Sequence, residues 1–144
     1  MTADQKLSQI ARDARASIED LIAEHAWLID HGKANELPDL YTDDGRMLGV
    51  GEDLVGRQAI AAWSERRAAM RERTSRHVCG NIRLSPETAD RIRGTVVLTV
   101  YRRDGAIADT TLPLMVGDYE DIYVRCADAR WRFAERRIVA AFAG

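Results

Sequence analysis

From Leu7 to Ile29 the residues Leu7, Ile10, Ala14, Ile18, Leu21, Ile22, His25, Leu28 and Ile29 recur at three- and four-residue steps. That period predicts an amphipathic helix, and Gly32 follows where such a helix stops. Leu37 and Leu40 predict a short second helix over about Ala34 to Tyr41, closed by a turn at Asp43-Asp44-Gly45. Arg46 to Val50 reads as a short strand. Beyond Gly49, Gly51 and Gly56 a third helix is expected over roughly Arg57 to Arg71, with Ile60, Trp63 and Ala68 facing inward. The basic tract Arg66 to Arg76 reads as a solvated face and a loop. The period then changes, and strands are expected over 75–84, 91–103, 111–125 and 130–142. Ser85-Pro86-Glu87, Asp104-Gly105 and Ala127-Asp128-Ala129 are the turns between them.

Helices gathered in the first half and long consecutive strands in the second predict an α+β fold. The expected form is a cone-shaped, curved, mostly antiparallel sheet, with about three N-terminal helices enclosing an apolar pocket. At 144 residues the chain fits one domain spanning 1–144. With 21 basic and 23 acidic residues the net charge is −2, which argues against a general nucleic-acid binder. Cys79 and Cys126 show no paired spacing and read as free buried thiols, and no zinc-ligand spacing links them to the three histidines. No signal peptide and no membrane-spanning run is visible, so a soluble, cytoplasmic protein is expected.

Four stretches in order resemble the SnoaL-like, scytalone-dehydratase-like branch of the nuclear-transport-factor-like superfamily. They are Trp27-Leu28-Ile29-Asp30-His31-Gly32 with Leu37-Pro38-Asp39-Leu40-Tyr41-Thr42-Asp43-Asp44-Gly45; Gly56-Arg57-Gln58-Ala59-Ile60; Ser75-Arg76-His77-Val78; and Asp118-Tyr119-Glu120-Asp121 with the run Arg130 to Arg137. Their order and spacing are specific for the fold and much less so for an activity. In dehydratase-like members an acidic residue ending the first helix orients a histidine on the strand after the third helix. Asp30 and His77 occupy those places.

The chemistry this implies is general. A carboxylate that accepts one imidazole N–H fixes the tautomer and leaves the other nitrogen as base. Asp30 and His77 are therefore the expected catalytic pair, with Tyr101 the only proton donor near the place of the family's second histidine. On a helical wheel Asp30 lies off the main apolar stripe, so the helix end must be wrapped on a second side, a task expected of Trp27. Trp27, Tyr41, Trp63, Met115 and Tyr119 are the expected substrate-binding residues, with Phe133 beside them; large aromatics also dominate ordinary cores. His25 lies on the apolar stripe and reads as a core residue, and His31 as a solvated cap of the helix end. Ile29, Met47 and Leu48 stand where a scytalone dehydratase has hydroxyl-bearing groups, which departs from that enzyme's full constellation.

The resemblance implies a cofactor-independent lyase or isomerase on a small hydrophobic, cyclic carbonyl compound, with no metal. The competing reading is a non-catalytic ligand-binding or assembly module, such as the structural small subunit of a dioxygenase. It is favoured if Asp30 and His77 do not meet at a cavity. Either way a homodimer or higher homo-oligomer is expected, built on the polar outer face of the last strands.

Overall fold

The computed structural model describes residues 1–107 and 112–143. Helix α1 (Ala3–Asp30) opens on a capping box: the Thr2 hydroxyl accepts the Gln5 N–H at 3.1 Å, and the Gln5 side chain accepts the Thr2 N–H at 2.7 Å. Its buried face is Ala14, Ile18, Leu21, Ile22, His25, Leu28 and Ile29, the stripe its periodicity predicts. The helix stops at His31 and at Gly32, whose φ of 76° suits glycine. Ala34–Leu40 then forms a 3-10 helix rather than an α-helix, with Pro38 inside it.

Strands β1 (Tyr41–Leu48) and β2 (Leu54–Val55) form a short hairpin, and helix α2 (Arg57–Ala69) follows. The long strands β3 (Arg73–Thr88), β4 (Arg91–Asp104), β5 (Met115–Arg125) and β6 (Trp131–Ala143) complete the chain. They make one mixed sheet in the order β2-β1-β6-β5-β4-β3, antiparallel throughout except where β1 runs parallel to β6.

Several boundaries differ from expectation, and β2 has no counterpart among the expected strands. Asp43-Asp44-Gly45 is not a turn but a bulged stretch within β1, where the register against β6 shifts between Tyr41 and Arg46. Ser85-Pro86-Glu87 continues β3, because β3 is the edge of the sheet and an edge strand tolerates proline. The expected start of the third long strand at 111 lies outside the described residues, and β5 begins at Met115.

The core lies between the helices and the inner face of the sheet. Ile18, Ile22, Ile60, Ile92, Leu98, Tyr123 and Phe133 are fully buried there. Gly49 holds the β1 end against β6: a Cβ at that position would sit 2.4 Å from the Ile138 carbonyl oxygen, and its φ of 83° is the left-handed region. Val50 and Ile138 are thereby brought together to line a cavity. Among the described residues no helix is long and apolar enough to cross a membrane.

Candidate active site

A carboxylate at a helix C-terminus opposes the helix dipole, so Asp30, the last residue of α1, needs compensation from elsewhere. Strand β3 supplies it. The Asp30 Oδ2 accepts the His77 backbone N–H at 2.8 Å, and Oδ1 accepts the Ser75 hydroxyl at 2.8 Å and lies 2.7 Å from His77 Nδ1. The Asp30 side chain is 5% exposed and that of His77 13%. Burial raises the Asp30 pKa, but the hydrogen bonds and charge of His77, with the Ser75 hydroxyl, outweigh it and hold the carboxyl below its ordinary value. An ionised carboxylate only accepts, so the proton of the neutral imidazole sits on Nδ1 and Nε2 carries the free lone pair.

The stabilisation from Asp30 is fully present above the ordinary carboxylate value of 3.8 and is lost as pH falls through the lower folded value. The melting-temperature gap between the wild type and Asp30→Asn is therefore expected to be widest above about pH 4 and to close in stronger acid. A gap that stays constant down to about pH 2 would contradict the ionised, hydrogen-bonded carboxylate.

His77 lines a cavity of about 130 Å³, and Asp30 stands behind it. Ile29, Met47, Val50, Trp63 and Ile138 form apolar walls, with Tyr119 and His25 deeper. The remaining lining is cationic: Arg67, Arg73, Arg102 and Arg136.

Arg136 is 1% exposed and forms a bidentate pair with buried Asp121, at 2.9 and 3.0 Å, while its guanidinium lies 3.5 Å over the Tyr119 ring. Burial opposes its charge, yet Asp121 and the tyrosines outweigh that and raise its pKa. Tyr123 donates its hydroxyl to Asp121 Oδ2, which also accepts from Arg136, at 2.6 Å. His25 Nε2 is 3.0 Å from the Tyr41 hydroxyl; burial first, then the charges of Arg136 and His77, hold its pKa well below 6.5 and keep it neutral. Two buried polar atoms of cavity-lining residues have no partner among the described residues, Arg136 Nη1 and His25 Nδ1. Burial also raises the Tyr119 pKa, so its hydroxyl stays protonated.

The expected site residues divide. His77, Trp63 and Tyr119 line the cavity, Asp30 supports His77, and Tyr41 is buried behind His25 as its hydrogen-bond partner. Met115 pairs with Val100 on the inward face and packs on the core without lining the cavity. Trp27 is 54% exposed and stacks on His31 at 3.6 Å, so β3, not Trp27, wraps the helix end. His31 also places Nδ1 3.0 Å from the Trp27 carbonyl oxygen, the capping contact expected of it. Tyr101 is excluded by register: it pairs with Arg76, whereas His77 pairs with Val100, so Tyr101 points to the opposite face of the sheet. His25, read as a core residue, also lines the cavity, and the four arginines give the expected apolar pocket a charged side.

The SnoaL-like domain family profile matches residues 11–137, and the chain belongs to that family. No curated protein matches it. Among solved structures it is similar to a protein provisionally named a scytalone dehydratase from Novosphingobium aromaticivorans, at 18% identity and a TM-score of 0.81, covering 95% of this chain and 90% of that one. An NTF2-like protein with a cystatin-like fold from the same organism is 25% identical at a TM-score of 0.77, covering 92% and 84%. ActVI-ORFA from Streptomyces coelicolor is 18% identical at a TM-score of 0.76, covering 90% and 98%. The fold is thus that of the scytalone-dehydratase-like and NTF2-like proteins.

Proposed function

We propose that this protein is a cofactor-independent lyase or isomerase acting on a small carbonyl compound, with His77 as its general base. The observation that carries the reading is the 2.7 Å contact between His77 Nδ1 and a buried Asp30 carboxylate at the wall of a cavity. Asp30 positions the ring, and Nε2 removes the proton next to the substrate carbonyl. The carbonyl oxygen gains charge in that step, and the unpartnered Arg136 Nη1 and the Tyr119 hydroxyl are the donors available to receive it. The imidazolium then returns its proton to a β-hydroxyl, which leaves as water, or to another carbon, which isomerises the substrate. A cavity of about 130 Å³ suits a single ring rather than a fused system. The likeness to a protein provisionally named a scytalone dehydratase supports the same reaction class. Incubation with small ring ketones and hydroxyketones in deuterated water tests the reading. Enzyme-dependent exchange of the α-proton is expected, and no exchange from any of them would contradict it.

The meeting of Asp30 and His77 at the cavity supports this reading over a passive binding module. The proposal includes a homodimer on the outer sheet face, where Val97 and Val139 flank Asp118 across three strands and Phe142 is 73% exposed. Light scattering is expected to give twice the 16.1 kDa chain mass, and a monomeric mass at micromolar protein would refute the pairing.

A further inference from the structure

Charges taken out of water are ordinarily paired, because an unpaired buried ion is costly. Three carboxylates pair with basic side chains that line the cavity. Asp121 is taken by Arg136, Asp104 by Arg73 at 2.8 Å with Arg102 at 3.9 Å, and Asp30 by His77. Arg67 is left over. It is 7% exposed, its one side-chain hydrogen bond goes to the neutral Ser75 hydroxyl at 3.0 Å, and no carboxylate lies within 4.0 Å of it among the described residues. Its place in the last turn of α2 offsets part of its cost, since a cation is favourable there. The Ser75 link to Asp30 offsets a further part. Neither contact uses the planar fork of a guanidinium, which matches a carboxylate in two-point contact.

We infer that the substrate is an anion: a small carbonyl compound bearing a carboxylate, which Arg67 binds with Arg73 and Arg102 at the same end of the cavity. The acid group supplies the missing negative charge and anchors the molecule, while the reacting carbon is presented to His77. This deepens the lyase or isomerase reading and rests on it for the carbonyl, but the anion site stands on the arginine cluster, with Arg67 its member lacking a carboxylate, and is tested without turnover.

The probes are benzoate and its neutral counterpart benzamide, which share one ring and differ in charge. Binding to the intact protein is followed by NMR shifts of the Trp63 indole and the His77 ring. Benzoate is expected to bind about ten-fold or more tighter than benzamide, with a preference that weakens as salt is added. Arg67→Gln, which keeps an N–H for Ser75 but loses the charge, is expected to cut the preference about five-fold or more. If that variant fails to fold, Arg102→Gln at the more exposed rim is expected to reduce the preference several-fold. Equal binding of benzoate and benzamide to the wild type would overturn the inference, as would benzoate that moves neither signal or a preference undiminished in folded Arg67→Gln. An active His77→Ala variant would instead sink the base assignment and leave the anion site standing.

Discussion

Replacing His77 by alanine is expected to lower α-proton exchange by about 10²- to 10⁴-fold, the usual contribution of a general base in place. The fold is expected to survive, for a reason visible in the hydrogen bonds. Asp30 keeps the backbone N–H of residue 77 and the Ser75 hydroxyl when the ring is gone, so its buried carboxylate is not orphaned. The loss is then about 1 kcal/mol, or a few degrees of melting temperature. Exchange measured beside a thermal melt separates the two effects. Wild-type exchange in a folded His77→Ala protein would remove His77 from the chemistry. Loss of folding would instead show that the ring is structural.

Arg136→Ala is expected to have the largest effect on stability. Arg136 and Asp121 are 1% and 2% exposed, and the pair is bidentate. Removing the guanidinium leaves Asp121, among the described residues, with the Tyr123 hydroxyl as its one side-chain partner, and strips the cation from the Tyr119 and Phe133 rings. Breaking a buried pair this way costs about 3–5 kcal/mol, a fall on the order of 10 °C in melting temperature. Arg136→Met combined with Asp121→Leu removes both charges and is expected to recover much of that loss, since an apolar pair of similar volume avoids the desolvation cost. Activity is expected to stay low in the double variant because the donor to the developing oxyanion is gone. A melting temperature for Arg136→Ala within a degree or two of wild type would show that water or a neighbour already satisfies Asp121. Full activity in the double variant would take Arg136 out of the mechanism.

Much of this arrangement is legible along the chain, and the exceptions have physical causes. The α1 stripe identifies its buried face, and Asp30 marks itself by sitting where a helix end disfavours a carboxylate. His77 follows from its place after the α2 helix and from the family resemblance. Arg136 was hidden by a bulge. Counting by twos from Phe133 puts Glu135 and Arg137 on the inner face and Arg136 outside. The pairing skips Ala134, however, with Tyr123 opposite Phe133 but Ile122 opposite Glu135, and this brings Arg136 inward opposite Asp121. The place of Tyr101 is ambiguous in sequence for a different reason. Thr95 to Tyr101 is apolar or β-branched in both phases, so alternation alone cannot say which set faces the core. Register against β3 decides it, and places Val100 with His77. The basic tract Arg66 to Arg76 reads as solvated in sequence, yet Arg67 is buried and Arg73 lines the cavity, because the end of α2 and the start of β3 both border it. Charge runs look alike in sequence whether they face water or a ligand.

The central claim is that Asp30 holds the His77 proton on Nδ1 and leaves Nε2 free as the base. Long-range ¹H–¹⁵N NMR of the histidine rings reads this directly and needs no substrate. The neutral His77 ring is expected to show the Nδ1–H tautomer in the wild type and to revert in Asp30→Ala to the Nε2–H form that unconstrained imidazole favours. An Nε2–H ring in the wild type, or a tautomer indifferent to Asp30→Ala, would contradict the assignment of His77 as base.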